Sequence, residues 1–164
     1  MTAAVVGALA GFLGVILGRF WDRASEVARW RRDQRIRTYE DIGASYYELR
    51  EAIRAVALLE PDTSESDLAS SHVLDIGTHF NSGVVAVWLH GSVSVATSVR
   101  ELDREIIKLF LLARTDRFTY EGWRTMRASA DDALERFVEA VRLELSLPPV
   151  PVAIRIADLS EPRA

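Results

Sequence analysis

The spacing His72-x2-Asp75-x3-His79 is the arrangement in this sequence best suited to chemistry. On a helix the three side chains share one face, and two imidazoles with a carboxylate would give a zinc ion three protein ligands and an open fourth position. The apolar stripe of the same segment, Val73, Ile76 and Phe80, lies about 100° round the helix from them, one residue's turn. That offset puts His72, Asp75 and His79 at the core boundary or in solvent, so the expectation is no metal and no cofactor. A di-iron centre would need Glu-x-x-His on two helices, whereas Ala69, Ile76 and Val87 stand three residues before His72, His79 and His90.

Other catalytic patterns fare no better. No glycine-rich loop is followed by Lys-Ser/Thr, so no phosphate cradle is expected. The absence of cysteine removes thiol nucleophiles, thiolate metal sites and disulfides together. Ser, His and Asp all occur, but without a spacing that would identify a triad. The chain is read as a non-enzyme.

With 164 residues and 49% apolar composition, the chain is long enough for one domain plus an appendage. The net charge of −4 names no partner, but its distribution is uneven. Arg19, Arg23, Arg29, Arg31, Arg32, Arg35 and Arg37 crowd one stretch against Asp22, Glu26 and Asp33. Nucleic acid would suit such a cluster, but the cluster follows an apolar run, the rest of the chain is acidic, and no nucleic-acid module is recognisable. No nucleic-acid partner is expected.

That apolar run, AAVVGALAGFLGVILGRFW, begins the chain. Thr2 to Gly18 are 17 consecutive uncharged residues, and Phe20 and Trp21 at an interface extend them to the length of a bilayer span. A cleaved export signal would begin with basic residues and end in a small-residue site, and neither is present. The run is read as a retained transmembrane helix over 3–20. Arginines directly after it orient the N-terminus outward and the remaining chain toward the cytoplasm of a bacterial inner membrane. Arg19, Trp21 and Arg23 would meet lipid headgroups, each arginine contributing about 1 kcal/mol near an anionic leaflet. Ala4, Gly7, Gly11, Gly14 and Gly18 recur at spacings of 3 and 4, a side-chain-poor stripe on which a second copy could pack closely.

Beyond the span, 21–38 reads as a basic juxtamembrane helix and 39–147 as a cytosolic helical bundle. Tyr39, Ile42, Tyr46, Leu49, Ile53 and Val56 keep a helical period until Glu60-Pro61, so the first helix would run unbroken from about Ala3 to Leu59. Its membrane and cytosolic stripes share a heptad phase, as in a coiled coil, but Arg32 and Arg35 interrupt the seam. A second helix follows on Ala69, Val73, Ile76, Phe80, Val84 and Val87, weakened by Gly77 and Gly83. The stretch VVAVWLHGSVSVATSV alternates in part as a hairpin would. The stripe Val95, Val99, Leu102, Ile106, Leu109 and Ala113 favours instead a stop at His90-Gly91 and a third helix capped by Ser92. Trp123, Met126, Ala130, Ala133, Phe137, Ala140 and Val141 line a fourth, ended by Pro148-Pro149. The fold class is all-α: a transmembrane helix continuing into an up-down-up-down four-helix bundle, with an extended tail over 148–164 whose Val150, Val152, Ile154 and Ile156 alternate.

The small-residue span running into RWRRDQRIRTYEDIGASYYELREAI, with VWLHGSVSVATSVREL in the middle, resembles a loose group of uncharacterised actinobacterial single-span membrane proteins. These carry a basic Trp/Arg stretch, a Tyr-containing helix and a cytosolic helical bundle. The resemblance covers most of residues 1–147 and implies no catalytic residue. Together these features predict a membrane-anchored scaffold or interaction protein that self-associates through its glycine face, with lipids, a second copy and a cytosolic protein as partners. A small holin-like pore is the alternative, and a metal-binding bundle the lesser one.

Overall fold

A computed structural model describes the backbone of residues 2–148 and the side chains of residue 26 and residues 29–148. The helices are α1 (Thr2–Ala57), α2 (Ser64–His90), α3 (Val93–Ala113), α4 (Tyr120–Met126) and α5 (Ala128–Glu144), and the described residues contain no strand. The chain divides into two compact units, Met1–Arg37 and Thr38–Ala164. In the first, Trp30 is 65% exposed. The side chains on which the anchor, the glycine stripe and the headgroup contacts depend (residues 3–23) lie outside those described, as does the tail from 149 onward. Among the described residues, no helix is long and apolar enough to cross a membrane.

The second unit is an all-helical bundle whose core follows the sequence stripes. Tyr39, Ile42, Tyr46, Leu49, Ile53 and Val56 of α1 are buried, and so are Val73, Phe80, Val84 and Val87 of α2. The entire α3 stripe from Val95 to Ala113 is buried, as are Trp123, Ala130, Ala133, Leu134 and Phe137. Residues three and four apart share a face, so each stripe turns toward the common interior and each helix is stable only by that packing.

Three hydrogen bonds fix the direction of the helices. At one end the Glu144 carboxylate accepts from the Tyr39 hydroxyl and from the Ser92 backbone N–H, both at 3.0 Å. At the other, the Phe118 N–H donates to the Ala57 carbonyl at 2.7 Å, satisfying a terminal acceptor of α1. The part of α1 from Thr38, then α2, α3 and finally α4 with α5 therefore pass alternately between the two ends.

Local chemistry sets the boundaries. Thr63 caps α2 through the Ser66 N–H and Ser92 caps α3 through the Val95 N–H. The stretch 84–99 is thus helix-turn-helix, as the α3 stripe indicates. The expected fourth helix is divided in two at Arg127, whose N–H bonds the Trp123 carbonyl while its own carbonyl accepts from Ala130 and Asp131. This one-residue tightening involves neither Gly nor Pro, so the apolar period runs through it unaltered. Helix α5 also stops before Pro148. Ser146 adopts a left-handed φ of 56°, its N–H donates to the Leu143 carbonyl and the Leu147 N–H to the Arg142 carbonyl. This Schellman pattern closes the helix with serine where glycine is usual.

The two glycines of α2 differ. A Cβ on Gly77 would meet nothing within 4 Å, whereas one on Gly83 would approach the Ile42 Cδ1 to 2.9 Å. Gly83 therefore packs against the Ile42 side chain of α1, and α2 runs unbroken through both positions. Gly77→Ala is expected to raise stability by about 0.5–1 kcal/mol, since helix interiors penalise glycine. Gly83→Leu should lower it by about 1–3 kcal/mol by overfilling the space around the fully buried Ile42. Equilibrium urea unfolding of the two variants checks both signs.

Candidate functional site

Helix α2 holds the sequence's metal candidates and places them apart from the core. His72, Asp75 and His79 are all exposed, and among the described residues no group of three or more His, Asp or Glu is arranged to hold a metal ion. A cluster of charged and polar groups lies elsewhere, between α1 and α5. Tyr46 and Arg50 are one helical turn apart on α1, which brings both side chains over the same residue of α5. The Tyr46 hydroxyl donates to Asp131 Oδ1 at 2.6 Å, and Arg50 Nη1 lies 3.5 Å from the same oxygen. Arg127, one turn before Asp131 on the helical spacing, brings its Nε to 3.4 Å from Oδ2.

Arg50 is nearly buried and lies between aromatic and acidic groups. Its guanidinium carbon is 4.9 Å from the Tyr47 ring centroid and 6.0 Å from that of Tyr46, while Nη2 pairs with Glu51 at 3.1 Å. Such stacking suits the weakly hydrated guanidinium. Burial opposes the Arg50 charge, but the Glu51 hydrogen bond and the Asp131 carboxylate outweigh it and hold its pKa above the ordinary value. Arg50 Nε is buried without a hydrogen-bond partner.

Burial first, then the charge of Asp131 and the hydrogen bond to it, push the Tyr46 phenol far above its ordinary pKa of 10.0. A phenol held protonated beside an arginine paired with two carboxylates joins two helices; it has no proton to exchange near neutral pH. Its raised pKa favours the folded state fully below pH 10, and that contribution is lost as the pH rises past the unfolded value. Spectrophotometric titration of the four tyrosines should show one that stays protonated above pH 10 until the chain unfolds. In Tyr46→Phe that delayed phase should be absent.

The remaining candidate is a surface. Residues 76–90 contain no Asp, Glu, Lys or Arg. Leu74, Thr78, Ser82, Val85 and Leu89 recur at 3 and 4 along the outer side of α2, flanked by Trp88, and all six are exposed. Leu74 is 63% and Leu89 73% exposed. The two hydroxyls on this stripe turn back on their own helix, Thr78 donating to the Leu74 carbonyl at 3.2 Å and Ser82 to the Thr78 carbonyl at 2.9 Å. They thereby present their carbon atoms outward. The outer side of α3 differs, with Arg100, Arg104 and Lys108 among its exposed residues.

Sequence reasoning did not find the Tyr46–Arg50–Asp131 cluster or the outer face of α2. Tyr46 and Arg50 stand at i and i+4, but nothing in the order of residues names Asp131, rather than Asp132, as their partner. The α2 face was legible as a run without charge. Comparison with protein-family models, curated proteins and solved structures gives no match for this chain.

Proposed function

We propose that this protein is a membrane-tethered interaction module. Residues 3–20 span a bacterial inner membrane with the N-terminus outward, and the cytoplasmic bundle docks a protein partner on the outer face of α2. The glycine stripe from Ala4 to Gly18 joins copies within the membrane, where close helix packing replaces the hydrophobic drive available in water. The observation that supports the docking role is the uncharged face from Leu74 to Leu89, with its hydroxyls bonded to their own helix. Contiguous exposed apolar side chains are characteristic of interaction sites. The actinobacterial resemblance accords with the same reading.

The test is photo-crosslinking in intact cells from a reactive residue substituted at Leu89, with Arg100 on the outer side of α3 as the reference position. The expected result is a discrete protein adduct above monomer mass from position 89 that position 100 does not give. A ladder common to both positions, or no adduct at 89, overturns the docking role. The membrane contact is tested separately by energy transfer between labelled copies in vesicles, which Gly11→Leu and Gly14→Leu should reduce.

A further inference from the structure

We propose that the outer face of α3 docks on an anionic membrane surface, its cations meeting lipid phosphates and its exposed aliphatic side chains the acyl boundary. The site is separate from the α2 face, and the contact needs only that the bundle share a compartment with an anionic leaflet. Among the described residues, α3 is the helix whose exposed positions hold Arg and Lys but no Asp or Glu, in a chain of net charge −4. Thr97, Arg100, Arg104, Ile107, Lys108 and Leu111 are exposed and fall within about 100° of the helix circumference, over about 21 Å of its length. Arg114, directly after α3, adds an exposed cation at the end of the stripe, its guanidinium carbon 5.9 Å from the Phe110 ring centroid.

The acidic residues of α3 stand at the edges of this face and are less exposed than its cations. Glu105 accepts from Lys108 Nζ at 2.7 Å and lies 3.5 Å from Arg104 Nε, and the Lys108 hydrogen bond holds its carboxyl below the usual range. Glu101 pairs with Arg136 of α5 at 3.4 Å, and burial pushes the Asp103 carboxyl up. One carboxylate shared by Arg104 and Lys108, beside Arg100, leaves the stripe with a net positive charge. The mixture of side chains identifies the partner. Ile107 and Leu111 are each about half exposed among these cations. At a lipid interface such aliphatic groups reach the acyl boundary while Arg and Lys stay at the level of the phosphates. Single-stranded nucleic acid would call for aromatic platforms, and the exposed residues of this face include none. A second copy would set cation against cation. Each cation near an anionic leaflet contributes about fivefold in affinity, so the contact is modest and sensitive to salt.

Because the chain has no cysteine, a single engineered one reports the contact without background. A fluorophore is attached to Ile107→Cys, or for reference to Ala55→Cys, exposed on α1, in full-length protein reconstituted with vesicles that contain acyl-chain nitroxide lipid. The nitroxide should quench the label at 107, and not at 55, in vesicles of equal parts phosphatidylcholine and phosphatidylglycerol, and neither label in phosphatidylcholine alone. Adding Arg104→Gln with Lys108→Gln should lower the ratio of quenched to unquenched label by about tenfold or more. Raised salt should do the same in the unaltered face, where folding is not in question. Equal quenching at both positions, or equal quenching in the two lipid compositions, overturns the proposal. So does an unquenched label at 107 whose emission shifts on adding RNA or an acidic protein, which would assign the face to a soluble polyanion. Carbonate extraction of the same vesicles reads residues 3–20 separately. A chain removed by carbonate yet quenched at 107 beforehand would strike the tether and keep this contact, and a carbonate-resistant chain without quenching would do the reverse.

Discussion

Asp131→Ala should destabilise the bundle by about 3 kcal/mol, out of proportion to the loss of one partly exposed carboxylate. The aspartate accepts from Tyr46 and pairs with Arg50 and Arg127, and its removal strands a buried phenol and leaves Arg50 with Glu51 alone. Removing the donor is milder: Tyr46→Phe keeps the ring and should cost about 1 kcal/mol. In the double variant the phenol is no longer orphaned, so the two costs should sum to more than the measured total. Urea unfolding of the four proteins in this cycle gives the coupling directly. Simple additivity would mean that the Tyr46–Asp131 hydrogen bond contributes nothing across the helices.

Trp123→Ala should be larger, about 3–5 kcal/mol, and should abolish a whole element. Helix α4 has seven residues, too few to form alone, and its only buried side chain is Trp123, at 1% exposure. Thr119 caps the helix through the Gly122 N–H, but a cap cannot replace the packing that holds so short a segment. Amide exchange in residues 119–127 should therefore become fast in this variant, while the middle of α3 keeps its relative protection. Trp123→Phe should cost only about 1–2 kcal/mol. The indole Nε1 is buried without a hydrogen-bond partner, so phenylalanine loses ring volume but no hydrogen bond.

The core was legible because helical period and burial have the same cause. The stripes of α1 and α3 are buried residue for residue, and Ser92 caps where its position after His90-Gly91 suggests. Gly83 reads in the sequence as a weak point, yet it makes room for Ile42, a reason that exists only once two helices meet. The division at Arg127 leaves no trace because it neither shifts the apolar phase nor uses Gly or Pro. The exposed position of His72, Asp75 and His79 follows from their angle to the core stripe. The joining of Tyr39 and Ser92 by Glu144 does not, since those partners stand 105 and 52 residues before it in the sequence.

The proposed tethering of a cytoplasmic bundle by residues 3–20 is tested by fractionating cells that make a C-terminally tagged chain, with carbonate extraction and protease treatment of spheroplasts. The expected result is a full-length protein that stays in the inner membrane after carbonate, with its tag protected until the cells are lysed. A tag cleaved in intact spheroplasts, or a processed chain released from the membrane, would contradict it and put the α2 face on the other side of the bilayer.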